Sequence, residues 1–171
     1  MKIKQLKTSY IVTTIKEHKQ IKKELLYLID KIPKNKYETI SHTDWNLPRE
    51  YDREYLEYFY KIIAPYMAKM TDLLNEKRWE INNGWFQQYY KNDTHVWHRH
   101  QKSNFTNVYY LELPKNNFVT KIKPELNNSK IYSVEAKEGD VVTFPACISH
   151  TSEKIKNNLR KTIISFNSDF F

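Results

Sequence analysis

Only two glycines, Gly84 and Gly139, occur in the 171 residues of this chain. A loop that cradles phosphate needs several glycines close together, so neither a dinucleotide-binding fingerprint nor a P-loop can be written from them. Cysteine is scarcer still. Cys147 alone excludes an internal disulfide and a multi-cysteine zinc site. No apolar run approaches the roughly 18 residues that a membrane helix requires. The opening "MKIKQLKTSYIV" is basic but has no apolar signal core. These absences lead us to expect a protein of a reducing, cytoplasmic compartment that does not enter a membrane.

What is present suits a folded globule. A hydrophobic content of 40%, with 15% aromatic, argues against disorder, and the length fits one domain with a sizeable core. The formal charge is +8, and ten lysines fall within the first 36 residues. A nucleic-acid partner would explain that bias. A solvated face explains it more simply, because no aromatic-interleaved basic motif accompanies the charge.

"SYIVTT" reads as a short strand. In the segment that follows, Thr14 and Glu17 have the spacing of a capping box. Ile21, Leu25, Leu28, Ile29 and Ile32 form a helical apolar stripe that ends at Pro33. After a loop, "KNKYETISHTDWNLP", a second helix is expected from about Glu50 to Lys77. Its apolar face would carry Tyr55, Phe59, Ile62, Ile63, Tyr66, Met70, Leu73 and Leu74, and Pro65 should kink or restart it. From Arg78 onward the chain changes to short β-branched and aromatic runs broken by Asn, Lys, Pro and Gly. Helices first and strands afterwards predict an α+β fold, in which the helices buttress a sheet closed as a sandwich or barrel.

Half of the six histidines lie in "HVWHRHQ". On a strand, alternation puts His98 and His100 on one face, about 7 Å apart by backbone rise. His95 falls on the other parity unless a bulge intervenes. Two imidazoles make a poor site, and His150, carried on the apolar run "EGDVVTFPACIS", is the natural third. Imidazoles with open positions suit iron, zinc or copper. The pair His42 and Asp44 in "SHTDW" is a competing His-x-carboxylate, but it sits among turn formers, where Thr43 or Asp44 would brace a turn. Cys147 is expected to be a small buried residue.

"TNVYYLELP", "EGDVVTFPACISH" and "RKTIISFN", following "WHRH" in that order, resemble the Fe(II)/2-oxoglutarate-dependent oxygenases. The likeness is to prolyl-hydroxylase-like members and small phage and bacterial relatives, and it covers roughly Trp85 to Asn167. It implies a double-stranded β-helix (jelly-roll, cupin-like) over about residues 78–171. Residues 1–77 would supply a helical support with a leading strand, in one domain. It also implies Fe(II) held by His98 and His150, with 2-oxoglutarate as cosubstrate. Arg160, ten residues beyond the distal histidine, would grip the far carboxylate through its planar fork. Thr162 shares its strand parity and would face the same ligand. Tyr110 matches a tyrosine that hydrogen-bonds that carboxylate in relatives. Tyr89 or Tyr90, and Asn167, would line the pocket. No catalytic residue beyond the metal site is implied.

One departure matters. His100 stands where the family has Asp or Glu, which leaves either a three-histidine site or a His98–His150 site with His100 behind it. The resemblance implies oxidation of 2-oxoglutarate to succinate and CO2, coupled to hydroxylation of a peptide or protein side chain. Two other readings fit the residues: a cupin-like three-histidine dioxygenase that uses no 2-oxoglutarate, and a non-catalytic basic binding module. A nucleobase substrate is the nucleic-acid variant of the first reading. The rim segments that choose a substrate, "ISHTDWNLPREY" and "KNNFVTKIKPELNNSK", follow no compositional rule.

Overall fold

The computed structural model describes residues 8–33, 35–37, 41–114, 118–123, 130–156 and 158–171. The basic run 1–7 and parts of both rim segments therefore lie outside the described residues. The first half contains β1 (Ile11–Thr14), α1 (His18–Asp30), β2 (Asn35–Tyr37), β3 (Ser41–Thr43) and α2 (Glu54–Leu74). The second half is, in its described residues, built mainly of strands. It contains β4 (Trp79–Tyr89), β5 (His95–His98), β6 (Phe105–Glu112) and β7 (Thr120–Lys123), then β8 (Tyr132–Ser133), β9 (Asp140–Pro145), β10 (Ser149–Ser152) and β11 (Lys161–Phe170).

The strands form two antiparallel sheets. One has seven strands in the order β1-β9-β6-β11-β4-β3-β2, and the other has four in the order β5-β10-β7-β8. From β4 to β11 the chain passes back and forth between them, with β4, β6, β9 and β11 in the large sheet and β5, β7, β8 and β10 in the small one. That winding is a double-stranded β-helix, and it closes most edges that would otherwise invite foreign pairing. The fold class expected from the sequence is the one observed.

Strand alternation gives the large sheet two apolar faces, each with its own core. Phe86, Tyr109, Leu111, Val141, Ile164 and Phe166 point outward and are covered by α1 and α2 through Leu25, Ile29, Tyr55, Phe59, Ile63 and Met67. Tyr89, Val108, Tyr110, Val142, Phe144 and Ile163 point inward, toward the small sheet. The two parities of β11 therefore face different surroundings. Even-numbered residues meet the helices and odd-numbered ones meet the interior.

Several local expectations are corrected. The Thr14–Glu17 capping box does not form: Thr14 Oγ1 donates to Asp140 (2.7 Å), and Glu17 accepts from the Tyr66 hydroxyl (2.6 Å). Helix α2 runs through Pro65 without interruption. Leu73 is not part of its buried stripe but is 69% exposed. The loop read before α2 contains β2 and β3, which extend the large sheet. Cys147 is exposed rather than buried.

Candidate metal centre

Antiparallel pairing of β10 with β5 sets His150 opposite His98, and the chain leaving β5 brings His100 alongside, with its amide bonded to the Ala146 carbonyl (3.0 Å). The ligand atoms of His98, His100 and His150 all lie within 4.8 Å of one another. The first two are half-buried and the third is buried.

The hydrogen bonds of these rings decide which nitrogen is available. His98 Nδ1 lies 2.8 Å from the Val96 carbonyl, and His150 Nδ1 lies 3.1 Å from the Ile148 carbonyl. A carbonyl only accepts, so both rings must carry their proton on Nδ1 and keep an Nε2 lone pair. His100 Nδ1 meets Asn167 Oδ1 at 2.7 Å. That amide is oriented by Thr106, which donates to the same oxygen, and by Asn83, which accepts from Asn167 Nδ2. His100 is thereby placed in the same tautomer. Three Nε2 lone pairs with their Nδ1–H groups anchored are the arrangement in which imidazoles bind a cation.

Burial strengthens this state. It lowers the pKa of His98 and of His100, and it takes His150 down to about 2, with the neighbouring histidines adding to the effect in His150 and His100. The rings are therefore neutral around pH 7 and need not shed a proton to bind metal.

Behind the histidines lies a small cavity whose walls include Tyr89, Thr120 and Ser152. Lys161, from an inward position of β11, is fully buried beside it. Its ammonium donates to Ser152 Oγ (2.9 Å) and sits 5.0 Å from the centre of the Tyr89 ring and 5.8 Å from that of Tyr110. Among the described residues no carboxylate pairs with it, and desolvation alone brings its pKa down to about 7. A cation buried without a counter-ion is costly, and strongly perturbed groups of this kind cluster at functional sites.

The sequence expectation for the anchor is corrected here. Arg160 and Thr162 have even parity and face α1, away from the histidines. Arg160 grips Glu112 with two hydrogen bonds (2.7 and 3.0 Å) and lies 3.5 Å from Asp30, while Thr162 donates to Glu112 (2.5 Å). Tyr110 and Tyr89 do point into the interior. The Tyr110 hydroxyl donates to Thr120 Oγ1 and accepts from the Thr120 amide, both at 2.9 Å. Tyr90 turns outward onto His42. The competing pair is structural: Asp44 accepts from Arg53, from Tyr55 and from the Phe86 amide, and so braces the turn before α2.

Two further residues belong to the site: Lys161, which carries no signal of its own in the sequence, since parity alone offers either it or the arginine beside it, and His95, expected on the other strand face. His95 does line the site: the register shift between His150 and Ser152 carries its ring over His98, with centroids 3.8 Å apart. Its Nδ1 meets Gln87 Nε2 at 3.2 Å.

In front of the histidines opens a groove of about 600 Å³. Its walls include Trp45, Trp85, Asn83, Arg99 and Lys102, and among the described residues no carboxylate lines it. Trp45, 54% exposed, meets Trp85 edge-on at 4.6 Å, and Trp85 in turn stacks on His100 at 5.5 Å. The centre is thus reached from outside along an aromatic wall.

No protein-family model matches the chain, and no curated protein matches it. Solved structures do. A 2OG-Fe(II) oxygenase family oxidoreductase from Burkholderia pseudomallei aligns with a TM-score of 0.70 at 11% identity, over 93% of this chain and 83% of that one. HygX from Streptomyces hygroscopicus, solved with nickel and 2-oxoglutarate bound, gives 0.70 at 9% identity, over 94% and 82%. The viral collagen prolyl hydroxylase of Paramecium bursaria Chlorella virus-1, solved with 2OG, gives 0.58 at 13% identity, over 93% and 94%. At these identities the likeness is one of fold.

Proposed function

We propose that this chain is a non-haem Fe(II)/2-oxoglutarate-dependent dioxygenase. One observation carries the reading: the three converging Nε2 lone pairs of His98, His100 and His150 stand in front of a buried, uncompensated Lys161. A divalent cation fits the first feature and the far carboxylate of a dicarboxylate fits the second. The shared fold with proteins solved with 2-oxoglutarate supports both.

In this reading His98, His100 and His150 would hold the iron as neutral ligands. Bound iron and 2-oxoglutarate together supply the oxidising chemistry, with release of succinate and CO2. Lys161 orients the cosubstrate by charge, while Ser152 and the Tyr89 and Tyr110 rings hold the ammonium in place. The inner core around Val108, Val142, Phe144 and Ile163 keeps water from the far end of the ligand. Asn167 keeps His100 in its binding tautomer.

The primary substrate we assign is a side chain presented on a peptide or protein. An open groove suits a ligand delivered on a polymer, and the Trp45–Trp85 wall suits an apolar or ring-bearing side chain. The structural likeness to a viral collagen prolyl hydroxylase agrees.

Anaerobic titration with Fe(II), with and without 2-oxoglutarate, tests the core of the reading. Metal should bind alone, and 2-oxoglutarate should bind only to the loaded protein. Succinate should then form on admission of oxygen. Metal binding without 2-oxoglutarate binding would favour a cupin-like dioxygenase instead.

A further inference from the structure

His95 lines both the outer groove and the inner cavity, as Gln87, His98 and His100 also do, so its ring is part of the wall between them, beside the metal-binding triad. It is held there by stacking on His98 and by one directional bond. The Tyr89 hydroxyl donates to Gln87 Oε1 (2.8 Å), which orients the amide so that Gln87 Nε2 donates to His95 Nδ1 (3.2 Å). A ring nitrogen that accepts carries no proton, so the proton of neutral His95 resides on Nε2. This is the opposite tautomer to that of His98, His100 and His150, whose Nδ1 atoms donate. Three histidines thus present lone pairs to one centre, and His95, stacked on His98 beside them, carries an N–H instead.

Resting on the dioxygenase reading above, we infer that His95 contacts the cosubstrate, donating its Nε2–H to a carboxylate oxygen of the dicarboxylate bound between the triad and Lys161. A ligand spanning those two features passes the wall that His95 forms. The relay from Tyr89 through Gln87 fixes the donor before the ligand arrives, so no reorganisation accompanies binding. A metal ligand at this position would need the reverse relay, with an acceptor facing Nδ1.

The test uses Zn(II)-loaded protein and calorimetric titration with 2-oxoglutarate. His95→Phe keeps a flat ring on His98 but has no donor, whereas His95→Gln restores an N–H at a similar reach. We expect His95→Phe to weaken 2-oxoglutarate about tenfold, the usual worth of one hydrogen bond to a charged oxygen. Zn(II) affinity should stay within about twofold, since the triad is intact, and His95→Gln should recover most of the loss. Unchanged 2-oxoglutarate affinity in His95→Phe overturns the inference. So does an equal loss in the Phe and Gln variants, which would make the ring a structural spacer. Failure of the unmodified Zn(II) protein to bind 2-oxoglutarate at all would instead overturn the dioxygenase reading.

Discussion

Replacing Lys161 with Met should make the protein more stable and deprive it of its cosubstrate. Burial takes the ammonium from an ordinary pKa of 10.5 to about 7. At about 1.4 kcal/mol per tenfold in proton affinity, keeping it charged in the folded state costs on the order of 5 kcal/mol. The folded pKa lies below the unfolded one, so between pH 7 and 10.5 the unfolded chain binds a proton that the folded chain does not. Stability therefore rises with pH through that window, and the penalty is complete below pH 7. Methionine removes the penalty but forfeits the Ser152 hydrogen bond and the contacts with the Tyr89 and Tyr110 rings, so the net gain should be about 2–4 kcal/mol below pH 7. In a chain of this size that raises Tm by roughly 5–15 °C. The gain should shrink as pH climbs toward 10, since the unmodified protein recovers there. On the Zn(II)-loaded protein, 2-oxoglutarate affinity should fall about a hundredfold or more, the loss expected when a buried carboxylate is left without its cation. Thermal melts at pH 6 and pH 9.5 with calorimetry at pH 7 read both effects. A lower Tm, the same pH slope as the unmodified protein, or retained 2-oxoglutarate binding would refute the reasoning.

Arg160→Ala should leave 2-oxoglutarate binding within about twofold and cost about 1–2 kcal/mol in denaturant melts, because its partners Glu112 and Asp30 lie toward α1; a large loss of cosubstrate affinity would return it to the site. Asn167→Ala should weaken Zn(II) about 10–100-fold by releasing the His100 tautomer, as a chelator competition would show. His150→Ala should abolish metal binding in the same competition, with the fold retained by far-UV circular dichroism. Gly84→Ala drives a Cβ into the Tyr60 hydroxyl oxygen and should cost about 1–3 kcal/mol by urea denaturation, most of it recovered when Tyr60→Phe is added.

The sequence carried a good deal of this. The switch from helical to strand periodicity at Arg78 set the order of helices before sandwich. Tyr55, Phe59 and Ile63 were readable as core because burial follows a 3.6-residue repeat, and they cover Phe86 and Ile164. His98 and His100 could be grouped as near neighbours in the chain, although β5 ends at His98, so the chain leaving the strand and not strand alternation places His100, and His150 joins them through strand pairing. Leu73 failed because its angular position turns it to solvent, while Met70 and Leu74 on either side of it pack against the core.

What one dimension could not convey was the assignment of faces. In "RKTIISFN" every second residue belongs together, but nothing in the run says which set meets the helices. That depended on Glu112 and Asp30 arriving from β6 and α1 to hold Arg160 outward, which leaves Lys161 turned into the core. The placement of His95 depended likewise on a register shift between two strands more than fifty residues apart, and its proton on an amide oriented by Tyr89. Alternation, periodicity and residue chemistry are written along the chain. Which face is inside, and which nitrogen bears the proton, are decided by partners distant in sequence, so only the folded chain decides them.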